Sequence, residues 1–478
     1  MSQCLKGNKI MLIFVLLILL ISMSACNSLS IKSEDVAEIP EQETETADTQ
    51  KDMDISEPEE IYVQPEMSGE ISVNVYEYSE WLETAVLMFV EKYPDMKVNI
   101  HSFYNGTDVL VTEGGGVSSM SSRPAGQTRE DYIAQLNTQL LSGKADDIVI
   151  TSTGLPLGRY VKMGIFADIS FYLESAEEIN EMDYYMNIFD AYRTKSGALY
   201  QLPISATAIP LVCFDKELMD NTGIGPAEDA VLITWREALD IGKEMYDAST
   251  LMNTFMEDAR AIVGNLFTKA AVASIDYDTG KVEIDKERML QLLSVFEELE
   301  DYQTMPEGFD FFQDKYNKPY GINYQPDTEA AMRALNGYEV PLQWKYDDGE
   351  VYLSPYYALD FGITNQSKNK ELAWEFLRYL ISEEVQTLPS CPHAGVSKKG
   401  LQARVEGRVI TSGGSAEYAQ KVVAMVDGWV SQITAYRAED TDLIQISEGT
   451  LEEFIDGSLT TEETIDKLIN RLEQYMNE

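Results

Sequence analysis

The sequence predicts an α/β protein built as two or more lobes, and three observations carry that expectation. The chain has 478 residues, whereas a single hydrophobic core serves about 100 to 200. From Glu70 onward, stretches with apolar residues at every second position alternate with stretches spaced three and four apart. That is the pattern of strand, helix and strand in a parallel sheet. A second series of β-formers followed by long helical stretches begins near Leu199.

The elements follow in order. Ile71, Val73 and Val75 alternate as a strand, and Leu82, Val86, Phe89 and Tyr93 recur at helical spacing until Pro94 stops the helix. Val98 and Ile100 supply a second strand. Gly114 to Gly126 reads as a Gly/Ser-rich loop, after which Tyr132, Leu136 and Leu140 mark a helix ending at Gly143. Asp147-Ile148-Val149-Ile150 is a buried strand. Ligands of such sheets sit beyond the carboxyl ends of the strands, here Tyr78 to Trp81 and Thr151 to Gly154. Leu199 to Asp215 is rich in β-formers, and helices are expected at Trp235 to Tyr246 and Met289 to Leu299. Asp276 to Gly280 lacks the acidic fifth and glycine sixth positions of a calcium loop and reads as a turn. Asp347-Asp348-Gly349 reads as a hairpin turn joining Trp344–Tyr346 to Val351–Leu353. Thr460 or Thr461 caps a final amphipathic helix with Glu462 and Glu463 in its first turn.

Composition removes several classes of function. Asp plus Glu number 81 against 36 Lys plus Arg, a formal net charge of -45, and such a surface repels nucleic acid. With only two histidines, His101 and His393, a His-rich zinc site is excluded, and Ser-His or Cys-His catalysis would have to use one of them. No Gly-x-Ser-x-Gly elbow, phosphate loop or dinucleotide fingerprint is present. No cofactor, metal or catalytic residue is therefore expected. Glu80, Asp168 and Asp327 could be named as glycosidase carboxylates, but nothing in the sequence singles them out.

Residues 1–25 read as a targeting segment: Lys6 and Lys9, an apolar run from Ile10 to Ile21, then Ser22-Met23-Ser24-Ala25 before Cys26. The run is short for a membrane span. Residues 26–69 are acidic and poor in aromatics, which predicts an extended, unfolded tether. A secretory signal cut near Ala25 and an uncleaved anchor are the alternatives. Cys213 and Cys391 are then left to pair or stay free. The positions before Cys26 resemble the lipobox of bacterial lipoproteins, with Met23 where Leu is preferred. That resemblance implies a diacylated Cys26, and two acyl chains at about 0.8 kcal/mol per buried methylene hold a protein on a membrane.

Several further segments carry a family likeness. They are Phe89-Val90-Glu91-Lys92-Tyr93-Pro94, Leu141-Ser142-Gly143-Lys144-Ala145-Asp146-Asp147-Ile148 and Gly197-Ala198-Leu199-Tyr200-Gln201-Leu202-Pro203 with Val212-Cys213-Phe214-Asp215-Lys216. Gly362-Ile363-Thr364-Asn365-Gln366-Ser367-Lys368-Asn369-Lys370, running into Ala373-Trp374-Glu375-Phe376-Leu377 and Ser382-Glu383-Glu384-Val385-Gln386, is the most specific. Together they resemble the extracellular solute-binding proteins of ABC transporters, in the sugar-binding group typified by maltose-binding protein. Asp146, Gln201 and Phe214 depart from that pattern. The resemblance implies a two-lobe, periplasmic-binding-protein-like fold of type II, each lobe a mainly parallel sheet flanked by helices, with the cleft between lobes. It implies an N-terminal lobe of 70–202 with 360–388 returning, a C-terminal lobe of 203–359 with 398–478 returning, and crossings near 200–206, 353–361 and 388–398.

What it implies for function is a monomeric, lipid-anchored binder, not an enzyme. It would stand on the outer face of the bacterial cell membrane, capture a carbohydrate or oligosaccharide by hinge closure, and deliver it to the permease subunits of an ABC transporter. With 27 Tyr and 5 Trp the chain is supplied with flat faces for sugar rings. By position Trp429 matches a cleft tryptophan of the group, its alternative being a core position among Val423, Met425, Val426 and Val430. Trp81 with Tyr78 and Ser79, the hydroxyls of Thr151, Ser152 and Thr153, Ser205 at the first crossing, and Trp344 with Tyr346 complete the candidate contacts. Helix packing for Trp81 and capping for the Thr-Ser-Thr run are the competing roles. Trp235 and Trp374 read as structural. A secreted glycan-acting hydrolase and a surface sensor or adhesin on the same fold are the alternative functions.

Overall fold

Alternation of apolar residues makes Gly69–Val75 a strand (β1) whose Ile71 and Val73 are fully buried. Parallel partners flank it on both sides, β2 (Met96–Ser102) and β5 (Ile148–Ile150). This is the core of the computed structural model, which describes residues 62–477 except 104–106, 113–115, 122–127, 206–210, 249–253, 300–319, 324–326, 347, 354–358, 392–394 and 438–439. Beyond β2 the chain doubles back as β3 (Thr107–Thr112) and β4 (Gly116–Ser121). On the other side stand β6 (Leu202–Pro203) and β12 (Asp360–Ile363), giving the order β4-β3-β2-β1-β5-β12-β6.

A second sheet has the order β8-β10-β7-β9, formed by β7 (Leu211–Asp215), β8 (Leu232–Thr234), β9 (Tyr320–Asn323) and β10 (Glu339–Lys345). A two-stranded ribbon pairs β11 (Tyr352–Leu353) with β13 (Ala435–Tyr436). The chain passes from the first sheet to the second between β6 and β7 and returns between β11 and β12. Ser205 and Gly395 lie antiparallel beside that passage.

The two-lobe α/β architecture is the one the sequence predicts, with one correction to its sheets. Both are mixed instead of mainly parallel: β3, β4, β12 and β6 all pair antiparallel, as do β7 with β10 and with β9. Short connections force the first hairpin, and β12 enters from the other lobe, so its direction is free of the strand-helix-strand rule. Part of the stretch read as a loop, Gly116 to Ser121, is β4. The turn at Asp348-Gly349 is present, with Gly349 N–H donating to Tyr346 O at 2.9 Å and φ of 87° at Gly349. Tyr346 N also donates to Glu350 O across it at 2.9 Å, but the flanking strands do not go on pairing, because Val351 O accepts the amides of Thr434 (2.9 Å) and Ala435 (3.2 Å) and β11 pairs with β13.

Helices cover the sheets as their apolar stripes require. Ser79 caps the helix Glu80–Lys92 by accepting from Leu82 N at 3.2 Å, and Phe89 buries its ring against Phe376 of the helix Lys370–Leu380 at 5.1 Å. In the second lobe Trp235, Phe267, Phe296 and Leu468 share a core. The last helix, Thr461–Asn477, opens with a reciprocal cap: Thr460 N donates to Glu463 Oε2 (2.9 Å) and Glu463 N to Thr460 Oγ1 (3.3 Å).

The tether expected to run to residue 69 ends sooner: Tyr62 Oη donates to Glu375 Oε1 at 2.7 Å and Gln64 Nε2 to Oε2 at 3.0 Å. A carboxylate buried as deeply as Glu375 needs such donors, and Arg378 supplies another. Cys26 and residues 1–61 lie outside the described residues. Cys213 and Cys391 are both buried and are not joined in a disulfide.

Candidate functional site

Asp360 opens β12 where the chain re-enters the first sheet, and its carboxylate is wholly buried. Tyr192, just past the helix Met186–Ala191, donates its hydroxyl to Oδ1 at 2.9 Å, and Tyr436 of β13 donates to Oδ2 at 2.7 Å. Burial pushes the Asp360 carboxyl up to about 7, against the opposing pull of the two phenol hydrogen bonds. The backbone is held as well. Asp360 N donates to Ser152 Oγ (3.2 Å), Thr151 N to Asp360 O (2.8 Å), and Thr151 Oγ1 to Gln201 Oε1 (2.9 Å).

Beside this cluster lies a small open pocket. Leu157, Tyr192 and Tyr200 face it from the first lobe, Ile275 and Tyr277 from the turn after the helix Thr254–Ala273, and Arg437 from the residue after β13. Two polar atoms of its lining are buried without a hydrogen-bond partner, Tyr277 Oη and Arg437 Nε. The lobes touch along its rim. Asp278 accepts from Ser196 N at 2.9 Å and Ser196 Oγ at 3.0 Å, Lys195 lies 3.3 Å from Glu283, and Thr441 N donates to Gly154 O at 3.2 Å. Glycines permit the close approach, since a Cβ at Gly158 would stand 2.6 Å from the Tyr277 ring and one at Gly154 would stand 2.3 Å from Thr441 Oγ1.

The predicted contacts fall elsewhere. Trp81 is 2% exposed and its indole N–H points to Val385 O at 3.4 Å, because the first turn of its helix faces the core. Trp429 is 7% exposed and packed in the first core with Val426 and Val430. Trp344 and Tyr346 are in the second core, where Tyr346 Oη accepts from Lys269 Nζ at 2.8 Å. None of these four lines the pocket. Tyr78 is half-buried, and Ser79 is spent on capping. Ser205 and Thr153 are buried with unpartnered hydroxyls, away from the pocket lining. Thr151 and Ser152 reach it only through Gln201 and Asp360. Residues not foreseen are Tyr192, Tyr200, Gln201, Tyr277, Tyr436 and Arg437. Gln201 departs from the family pattern quoted above, but Asp146 and Phe214 do too, and its hydrogen bond from Thr151 is visible only in the structure.

The sequence pattern of bacterial extracellular solute-binding proteins matches residues 80–387. The chain belongs to this family. It is a solute-binding protein of the kind that serves ABC transporters, a family of binders. No curated protein matches the sequence. Among solved structures, a periplasmic oligogalacturonide binding protein from Yersinia enterocolitica is similar with a TM-score of 0.54 and 14% identity, over 86% of this chain and 99% of that one. An extracellular solute-binding protein family 1 from Alicyclobacillus acidocaldarius gives 0.51 and 14%, with the same coverage. The cyclic alpha-maltosyl-1,6-maltose binding protein from Arthrobacter globiformis gives 0.50 and 12%, again over 86% and 99%. At such identities the likeness establishes the shared fold. No helix among the described residues is long and apolar enough to cross a membrane.

Proposed function

We propose that this solute-binding protein captures a saccharide in the pocket beside Asp360 and, from a lipid anchor at Cys26, hands it to an ABC permease. The observation that carries the reading is the lining, where Tyr200, Tyr277 and Tyr436 stand beside Gln201 and Arg437. Aromatic faces pack against the C–H surfaces of a sugar ring, and amide, phenol and guanidinium groups exchange hydrogen bonds with its hydroxyls. The oligosaccharide ligands in the names of two similar structures support the same class.

Hinge closure supplies the mechanism. A solute held by Tyr200 on one side and Tyr277 on the other interacts fully only when the rim contacts Ser196–Asp278 and Gly154–Thr441 are made, and that differential affinity draws the lobes together. The permease then distinguishes closed from open. The protein works as a monomer, with no nucleic-acid partner and no catalytic step. Asp168, one nameable carboxylate, is already engaged by Ser170 N (2.9 Å), Ser170 Oγ (2.6 Å) and Leu199 N (3.0 Å).

A thermal-shift screen over mono- and oligosaccharides tests the reading, since a ligand at 100 times its dissociation constant adds about 2.7 kcal/mol of stability. The expected result is a saccharide that raises Tm and is recovered chemically unchanged, with the shift lost in Tyr277→Ala. A cleaved saccharide would establish the hydrolase, and a shift unaffected by Tyr277→Ala would place binding elsewhere.

A further inference from the structure

The pocket carries a charge pattern unlike the rest of the molecule. Against a formal net charge of -45 for the chain, its lining holds Arg193, Lys195 and Arg437 and one carboxylate, Asp276. Three of these four are already engaged. Arg193 lies 3.1 Å from Glu174 and 3.4 Å from Asp190, and gives an N–H to Gly197 O at 2.7 Å. Lys195 pairs with Glu283. Asp276 Oδ1 accepts the amides of Asp278 (2.9 Å) and Thr279 (3.3 Å).

Arg437 differs from the other two cations. Among the described residues it has no ion-pair partner within 4 Å, and its Nε is buried with no hydrogen bond. The next described carboxylate, Asp440, is turned to the amides of Asp442 and Leu443 and to Tyr475 Oη. Tyr277 Oη, lining the same pocket, is the second buried polar atom without a partner. The Arg437 charge is felt at that phenol, opposing the burial and the nearby Asp440 that push it up to about 12. A buried guanidinium N–H and a buried phenol left unmade are costly, and planar guanidinium is the group best matched to a carboxylate.

We propose that Arg437, with Tyr277 beside it, binds a carboxylate of the solute, so that the substrate class is an acidic, uronate-bearing saccharide. This deepens the saccharide reading and rests on it.

The test is calorimetric titration of the full mature protein with trigalacturonate and with its fully methyl-esterified form, which keeps the rings and hydroxyls and removes the charge. Neutral oligosaccharides and glucose 6-phosphate complete the panel. The acid is expected to bind the wild type about 30-fold more tightly than the ester, a typical margin for a charge-assisted hydrogen-bonded pair. Arg437→Gln is expected to reduce that preference to within about 3-fold, and Arg437→Lys to keep part of it. A wild type that binds the ester as well as the acid, or an acid preference that survives Arg437→Gln, overturns the proposal. If a neutral oligosaccharide is bound in place of the acid, the saccharide pocket stands and the acidic class falls. An Arg437-dependent preference for the sugar phosphate overturns the carboxylate in favour of phosphate. No binding by any saccharide, acidic or neutral, removes the underlying saccharide reading as well.

Discussion

The rings of Tyr192 and Tyr436 stack 3.8 Å apart and 7° from parallel, and both hydroxyls donate to the buried carboxylate of Asp360. Tyr192 belongs to the first lobe and Tyr436 to the ribbon β11–β13, so the pair ties together three chain segments where the lobes join.

Asp360 makes stability depend on pH. Its folded value, about 7, stands above the ordinary carboxylate value near 4. Between those two pH values the folded state keeps a proton that the unfolded chain has lost. Its stabilising contribution is full below about pH 4, declines as pH rises through 7, and is level above. Asp360→Asn, which copies the neutral form, is expected to be progressively more stable relative to wild type from pH 5 to pH 8. Parallel Tm curves for the two proteins across that range would refute the assignment.

Closure depends on the absence of a side chain at residue 158. Gly158→Val places carbon atoms into the Tyr277 ring, and overpacking of that kind costs about 1 to 3 kcal/mol. That cost falls on the closed state, so saccharide affinity is expected to drop about 10-fold or more, with a larger scattering radius and little change in the fold seen by circular dichroism. Unchanged affinity would mean that Tyr277 and Gly158 do not meet in the bound protein.

The strap at Tyr62 sets the boundary of the folded unit. Deleting residues 31–60 is expected to leave Tm unchanged, whereas deletion through Gln64 removes two donors to Glu375. Leaving a buried carboxylate short of partners costs about 1 to 3 kcal/mol, read as a fall of several degrees. Equal melting of the two truncations would show that Tyr62 and Gln64 contribute nothing.

Anchoring is tested at Cys26. Metabolic labelling with a fatty-acid analogue is expected to mark the wild type and to be abolished in Cys26→Ala; undiminished labelling in the variant would exclude the lipoprotein form.

Elements were legible wherever one physical signal dominates. β1 and the helix Glu80–Lys92 announce themselves through period-2 and period-3.6 burial, and Thr460 with Glu463 through cap chemistry. The hairpin β3–β4 was not, because a Gly- and Ser-rich segment pairs through backbone groups that leave little trace in side-chain pattern. The pocket was hardest to read. Residues 192, 277, 360 and 436 converge only through tertiary structure, and Tyr277 lies in a turn that by itself signals nothing beyond a change of direction. Tryptophans offer large flat faces, yet size is also what makes a core, and Trp81 and Trp429 serve there.

Cys213 and Cys391 sit in the interior as unlinked sulfhydryls, and burial lifts the Cys213 thiol up to about 12, so almost none of it is thiolate at neutral pH. Among the described residues the fold therefore rests on no disulfide. These two sulfurs become chemically visible only when the structure opens, which makes alkylation a clock for unfolding that runs without any introduced label.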